Sequence, residues 1–291
     1  MKNRTNLFIV CFSLLFMYGA KRFCEQQTDG FTIARITSHL SNRSELPIPP
    51  NVEDILDQSF HYLGCGGQCF VFLSKDAQYV IKFFKQHTLG HLLWLRQLPL
   101  PDSFKKKHFK KITRCEKKLF RDFNSYQIAF DELKEESGLI FLHLTKTDNL
   151  KKSITIFDKL GISHVLHLDD YEFIIQRKAE PFQRYMKKLI ANYKIPEAET
   201  ALKTVLDLVC LRYQRGIMDE DPRLYNNIGF LDGRPIFMDA GRFKKDLRKS
   251  DPNIYLSEIP RFASHLKKWI DIEYPLLSPT YDHIINKIQN D

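Results

Sequence analysis

The stretch RGIMDEDPRLYNNIGFLDGRPIFMDAGRF, residues 215–243, gathers an acid cluster, two asparagines, a tight-turn signal and a further Asp followed by Ala-Gly. Asp232-Gly233 stands between two apolar runs, NIGFL and RPIFM, and Asp-Gly in that setting marks a two-residue hairpin loop. With those two residues in the loop, Leu231 faces Arg234, Phe230 faces Pro235, and counting outward pairs Asn226 with Asp239. Pro235 then takes a non-hydrogen-bonded position, where its missing N–H removes no bond. An amide oxygen beside a carboxylate is a hard-oxygen pair suited to Mg2+, which leaves its other positions to water and substrate phosphates. Asp221, in the loop five residues before Asn226, can reach the same space and accept a proton from a nucleophile.

Upstream, LGCGGQCFVF holds Gly64, Gly66, Gly67 and Val71, and eleven residues after Val71 comes Lys82 inside the apolar run VIKFF. A dinucleotide-binding glycine motif is followed by a helix, whereas the residues after this one, from Cys69 to Leu73, read as a strand. The pattern therefore favours a glycine hairpin lying over phosphates. A lysine inside an apolar run either snorkels to water or needs an anionic partner, because a buried unpaired ammonium is costly.

The order and spacing of these motifs resemble the eukaryotic-type protein kinase superfamily, in a divergent bacterial-type or atypical form. The family's HRDxxxxN loop corresponds to Asp221 and Asn226, and its DFG motif to Asp239-Ala240-Gly241, thirteen residues beyond Asn226. Arg223 falls where many members carry a Lys, the glycine run fits GxGxxGxV with Cys69 in place of the third glycine, and VIKFF resembles VAIK. The resemblance covers about residues 60–243. It implies a two-lobed α+β kinase-like fold, with an antiparallel sheet and helix in the N-lobe and a reduced helical C-lobe. It further implies ATP and Mg2+ as cofactors, with Gly64, Gly66, Gly67 and Val71 over the nucleotide and Lys82 orienting the phosphates. The carboxylate opposite Lys82 would be Asp122 or Glu116, the backbone around Gln176 and Lys178 would hold adenine, and Arg223 would assist. Asn226 and Asp239 would hold the metal, and Asp221 would orient or deprotonate an acceptor hydroxyl.

Two departures bear on activity. The HRD triplet reads Asp219-Glu220-Asp221, which argues against regulation by activation-loop phosphorylation. After Gly241 only 50 residues remain, which suits kinase-fold enzymes acting on small molecules, sugars or lipids, with protein Ser/Thr acceptors still open. The alternative is a catalytically weak pseudokinase serving as a membrane-associated nucleotide-binding or scaffold module. Asp219 and Glu220 themselves read as capping or solvated acids.

The surrounding pattern is strand-rich first and helical later, as an α+β protein requires. Strands are expected in FHYLG, CFVFLS, QYVIKFF, GLIFLHLT, HVLHL and YEFIIQRK, forming one antiparallel sheet with a helix over 117–133. Phe182 to Tyr193 is amphipathic, Pro196 opens a longer helix stopped by Gly216, and the last 45 residues hold one more helical pattern, IPRFASHLKKWIDIEY. The expected divisions are a leader at 1–22, a polar, proline-rich linker at 23–55, an N-lobe at 56–178 and a C-lobe at 179–291.

Composition bounds the rest. With 291 residues and 43% hydrophobic content, the chain can bury a sizeable core. Its 44 Lys and Arg against 35 Asp and Glu give a net charge of +9, which fits anionic partners without choosing among them. The runs KKKHFKK and FKKDLRK lack interleaved aromatics and read as solvated faces, so no specific nucleic acid is expected. Six cysteines without a CxxC pair suit reduced thiols. Trp94 and Trp269 read as packing residues. The apolar run 7–20, flanked by Lys2, Arg4, Lys21 and Arg22, reads as a cleaved signal peptide or a short anchor, and thus as a membrane-associated or exported protein.

Overall fold

Asp232 and Gly233 adopt φ of 50° and 78°, the two positive values that a type I′ loop requires. The ladder behind them runs Leu231–Arg234, Phe230–Pro235, Gly229–Ile236 and Ile228–Phe237. This is the register the sequence predicts, but it stops before Asn226. Residues 224–227 close into a single helical turn, and the Asn227 carbonyl accepts both the Met238 N–H at 2.7 Å and the Asp239 N–H at 3.2 Å.

The computed structural model describes residues 2–40, 42–96, 99, 101–221 and 224–290. Helices α1 (Lys2–Thr28), α2 (Ile33–Ile36) and α3 (Pro50–Leu56) precede strands β1 (Phe60–Cys65), β2 (Cys69–Ser74) and β3 (Tyr79–Phe84). Then come α4 (His87–Arg96), α5 (Asp102–Glu132), α6 (Lys134–Ser137), β4 (Leu139–His143), β5 (Ser153–Phe157), β6 (Ser163–His167), β7 (Phe173–Arg177) and β8 (Glu180–Pro181). The chain continues through α7 (Phe182–Ala191), α8 (Ile195–Gln214), β9 (Ile217–Asp219), α9 (Leu224–Asn227), β10 (Ile228–Leu231), β11 (Arg234–Phe237) and β12 (Phe243–Lys245). It closes with α10 (Pro252–Glu273) and α11 (Ser278–Asn290). The protein is α+β, in two compact units.

One unit comprises the chain up to Cys115 together with His143–Phe173. Its strands neighbour one another in the order β3-β2-β1-β5-β6. The sheet is not wholly antiparallel, as the sequence suggests: β1 and β5 run parallel through Phe60–Ile156 and His61–Phe157. A long crossover separates those two strands, so no hairpin turn dictates their relative direction. The core is aromatic, with Phe60, Phe70, Phe72 and Phe83 fully buried. Phe31, from the segment before β1, packs edge-on against Phe70 and Phe72 at centroid distances of 5.2 and 5.3 Å, a geometry that aromatic quadrupoles favour. Residues 23–55 also carry α2, α3 and the buried Ile36, Val52 and Ile55. The same segment is tied by the Ser38 hydroxyl, which donates to the buried Glu172 at 2.5 Å.

The other unit comprises Glu116–Leu142 and the chain from Ile174 onward. The hairpin β10–β11 is extended by β8, and β9 pairs with β12 through Phe243–Asp219, Lys244–Met218 and Lys245–Ile217. Helix α8 buries Ala198, Ala201, Leu202, Val205, Leu208 and Val209, the face its 3.6-residue period predicts.

Several expectations are corrected. Helix α5 begins at Asp102 rather than near 117, since Lys-rich sequence is a good helix former even where no apolar face marks it. The final region holds two helices, α10 and α11, and α10 continues through Pro260. Trp94 is 58% exposed rather than packed. Among the described residues no helix is long and apolar enough to cross a membrane, which overturns the reading of the segment 7–20 as the source of a membrane-associated protein. Fourteen residues at about 1.5 Å each fall short of a hydrocarbon core of about 30 Å, and beyond Ala20 the helix turns polar through Lys21, Arg22, Glu25 and Gln26.

Gly216 ends α8 at φ 66°, and a Cβ placed there would meet the Leu247 Cα at 3.0 Å and the Asp246 carbonyl at 3.2 Å. Both a left-handed backbone and a close backbone approach therefore require glycine. Gly216→Ala is expected to lower stability by about 1–3 kcal/mol in chemical denaturation; a loss below about 0.5 kcal/mol would remove this role.

Candidate active site

Asp219 lies on β9 with its side chain only 3% exposed, 3.0 Å from Nη1 of Arg212, which is fully buried. The guanidinium carbon of Arg212 sits 5.2, 5.5 and 5.4 Å from the ring centroids of Tyr213, Phe237 and Phe243, so rings and a carboxylate together replace its water. The other oxygen of Asp219 accepts the backbone N–H of Asp221 at 2.9 Å. Asp219 is thus not the solvated acid its sequence context allows but a buried one that caps the Asp221 N–H, whereas Glu220 is exposed. Burial drives the Asp219 carboxyl up from 3.8 to about 6, against the pull of Arg212 and the Asp221 N–H, with the charges of Asp221 and Asp239 adding to the rise.

Asp239 follows β11 and presents its carboxylate at the surface. Its Oδ1 accepts the Tyr126 hydroxyl at 3.1 Å and the Gly241 N–H at 2.9 Å. The next residues are fastened from α5 as well, since the Ser125 hydroxyl meets the carbonyls of Ala240 and Phe243 at 2.8 and 2.7 Å. Asn226 occupies α9 and is exposed, with the Gln183 amide 3.5 Å from its Oδ1. Its neighbour Tyr225 stacks on Trp269 at 5.9 Å, which braces the turn. Arg223 lies outside the described residues.

Helix α5 also carries Asp122, buried, whose Oδ1 is 3.3 Å from Nη2 of Arg121. Burial raises its pKa, and Arg121 opposes the rise. Glu116 is partly exposed. Gln176 is buried on β7, where its amide donates to the carbonyls of Ser137 at 2.6 Å and Phe237 at 3.0 Å. Its side chain is a brace, and Lys178 beyond the strand is exposed.

The remaining predicted residues belong to the other unit, where the sheet brings three of them into one row. Gly64 on β1 faces Val71 on β2, and Val71 faces Lys82 on β3. Lys82 is 8% exposed. Gly66 donates its N–H to the Cys69 carbonyl at 2.9 Å, which closes the hairpin loop. A Cβ at Gly64, Gly66 or Gly67 would meet nothing within 4 Å. Packing within the fold therefore does not demand glycine there.

Sequence reasoning missed Arg212, Ser125 and Tyr126. A signal existed for the first: Arg212 stands four residues after Leu208 on the apolar face of α8, where a cation needs a partner.

No protein-family model and no curated protein matches this chain. Among solved structures it is similar to that of an Rv3197–erythromycin complex from Mycobacterium tuberculosis, at 15% identity and a TM-score of 0.36. The match covers 80% of this chain but only 60% of that one. A likeness of this degree assigns neither a family nor an activity.

The raised pKa of Asp219 has a measurable consequence. Between about pH 4 and pH 6 the folded chain holds this proton while the unfolded chain has released it, so the group's contribution to stability is full at low pH and is lost as pH rises through about 6. The stability of wild type minus that of Asp219→Asn is therefore expected to fall by on the order of 2–3 kcal/mol over this window. Denaturation across pH measures it, and a difference that stays flat or rises would contradict the buried-carboxyl assignment.

Proposed function

We propose that the chain is an ATP- and Mg2+-dependent phosphotransferase of kinase-like, two-lobed architecture with a reduced C-lobe, acting on a hydroxyl acceptor. The observation that carries this reading is the β10–β11 hairpin. Its two-residue loop brings the Asn226–Asn227 turn and Asp239 together at the open end, where the Asn227 carbonyl accepts the Asp239 N–H, in sequence order and spacing with Asp221. The row Gly64–Val71–Lys82 adds support, because it aligns a glycine loop with a buried ammonium across three strands.

The donor set fits Mg2+ bound jointly with phosphates. Among the described residues no group of three or more His, Cys, Asp or Glu side chains is placed to hold a metal ion. The protein ligands would be one carboxylate, Asp239, and one amide oxygen, Asn226, the sparse set of a cation that takes its remaining ligands from phosphate and water. Bound there, the ion would neutralise charge on the transferred group. Lys82 would orient the phosphates and Asp221 the acceptor hydroxyl.

A nucleotide-binding module without turnover is the second reading. It is favoured by Arg121, which gives Asp122 a partner on its own helix, where the kinase-like reading asks that carboxylate to serve Lys82.

Phosphoryl transfer by the full chain with Mg2+ and ATP, tested on hydroxyl acceptors from sugars to Ser/Thr peptides, decides between them. Asp221→Asn and Asp239→Asn are each expected to reduce turnover by about 100-fold or more. Activity equal to wild type in both would end the assignment of roles, and thermal stabilisation by ATP without turnover would favour the module. Gly66→Ala is expected to leave stability within about 0.5 kcal/mol of wild type while weakening nucleotide binding severalfold. Unchanged nucleotide affinity would detach the glycine loop from the site.

A further inference from the structure

Arg212 belongs to no motif that suggested the phosphotransferase reading, yet it is the most completely buried charge described around Asp221. Three features define its place. Its side chain is fully buried and its guanidinium lies among the rings of Tyr213, Phe237 and Phe243. Asp219, which pairs with it, is also nearly inaccessible and directs its second oxygen to the Asp221 N–H. Asp219 is further fixed by the β9–β12 ladder opposite Phe243, one of the three rings, and the next residue, Glu220, donates its N–H to the Arg242 carbonyl at 3.2 Å.

We propose that Arg212 is a positioning residue for Asp221, acting through Asp219: the boxed guanidinium fixes Oδ2 of the carboxylate so that Oδ1 holds the Asp221 N–H. A planar guanidinium suits this task because its donors are rigidly arranged and its face packs on rings, which an ammonium cannot reproduce. Removing one partner of such a pair leaves an uncompensated buried charge, whereas replacing both with neutral side chains of similar volume is tolerated. The two residues should therefore behave as a unit. The positioning stands independently of the enzymatic reading, and only its catalytic consequence rests on that reading.

The test uses the full chain in five forms: wild type, Arg212→Met, Arg212→Lys, Asp219→Asn and the double variant Arg212→Met with Asp219→Asn. The first readout is hydrogen exchange of the Asp221 amide by nuclear magnetic resonance, referenced to amides of α11. Arg212→Met is expected to speed exchange at Asp221 at least tenfold relative to that reference. The double variant restores most of the protection, because the side-chain amide oxygen introduced by Asp219→Asn still accepts the N–H and no unpaired charge remains. Arg212→Lys is expected to resemble Arg212→Met rather than wild type. Should Arg212→Met not fold, the comparison of wild type with the double variant and Arg212→Lys still decides. Arg212→Lys exchange equal to wild type, or a double variant no better protected than Arg212→Lys, overturns the proposal. The second readout is turnover: Arg212→Lys is expected to lower kcat at least tenfold with the KM for ATP changed less than threefold. An absence of turnover in wild type would defeat the phosphotransferase reading while leaving the amide readout to judge Arg212.

Discussion

A guanidinium removed from water must recover its lost hydration from the protein, and around Arg212 that requirement binds together parts of the chain that are distant in sequence. The carboxylate comes from β9, one ring from α8 itself, one from β11 and one from β12. Each of these strands is short, and a strand of three residues such as β9 has little cohesion of its own. The ion pair and the ring box supply a common reference for them. The acidic segment from Asp219 to Asp221 inherits its backbone course from that arrangement.

A second fastening operates from α5. Ser125 and Tyr126, adjacent in sequence, grip the segment from Asp239 to Phe243 at three points, two carbonyls and one carboxylate. Thus Asp221 is steadied from α8 and Asp239 from α5. Their separate supports leave the carboxylate of Asp239 at the surface with Oδ2 bearing no hydrogen bond from the described residues.

The sequence was most legible where the physics is local. The Asp-Gly loop specifies its own turn and hence the hairpin register, and the aromatic and β-branched runs CFVFLS and YVIKFF mark two strands, whose pairing of Val71 with Lys82 is a finding of the structure. Helix α8 announced itself through its apolar period and its Pro and Gly boundaries. It was least legible where the outcome depends on remote neighbours. Asp219 is indistinguishable from a solvated acid until the rings around Arg212 are assembled, and Gln176 gives no hint that its amide will be consumed by Ser137 and Phe237. The start of α5 escaped because its exposed lysines leave no apolar stripe to count, and SITIF at β5 is a short run whose parallel partner, β1, lies far back in the chain. The apolar run 7–20 misled for a different reason: an apolar tract flanked by basic residues has the pattern of an anchor, but among the described residues no helix is long and apolar enough to cross a membrane.

Phe31 gives the first unit an unusual anatomy. The ring is 4% exposed among Phe70 and Phe72, and just before it Asp29 accepts from the Tyr62 hydroxyl at 3.0 Å and pairs with Lys159 at 2.8 Å. An aromatic plug and its ionic latch are thus delivered from outside the strands, by a part of the chain that could be mistaken for a spacer. A version of this unit that keeps both plug and latch must begin before Asp29 and not after the prolines at 47–50. Deleting the segment that carries Phe31 would take a ring out of this core and uncover the faces of Phe70 and Phe72 against which it packs.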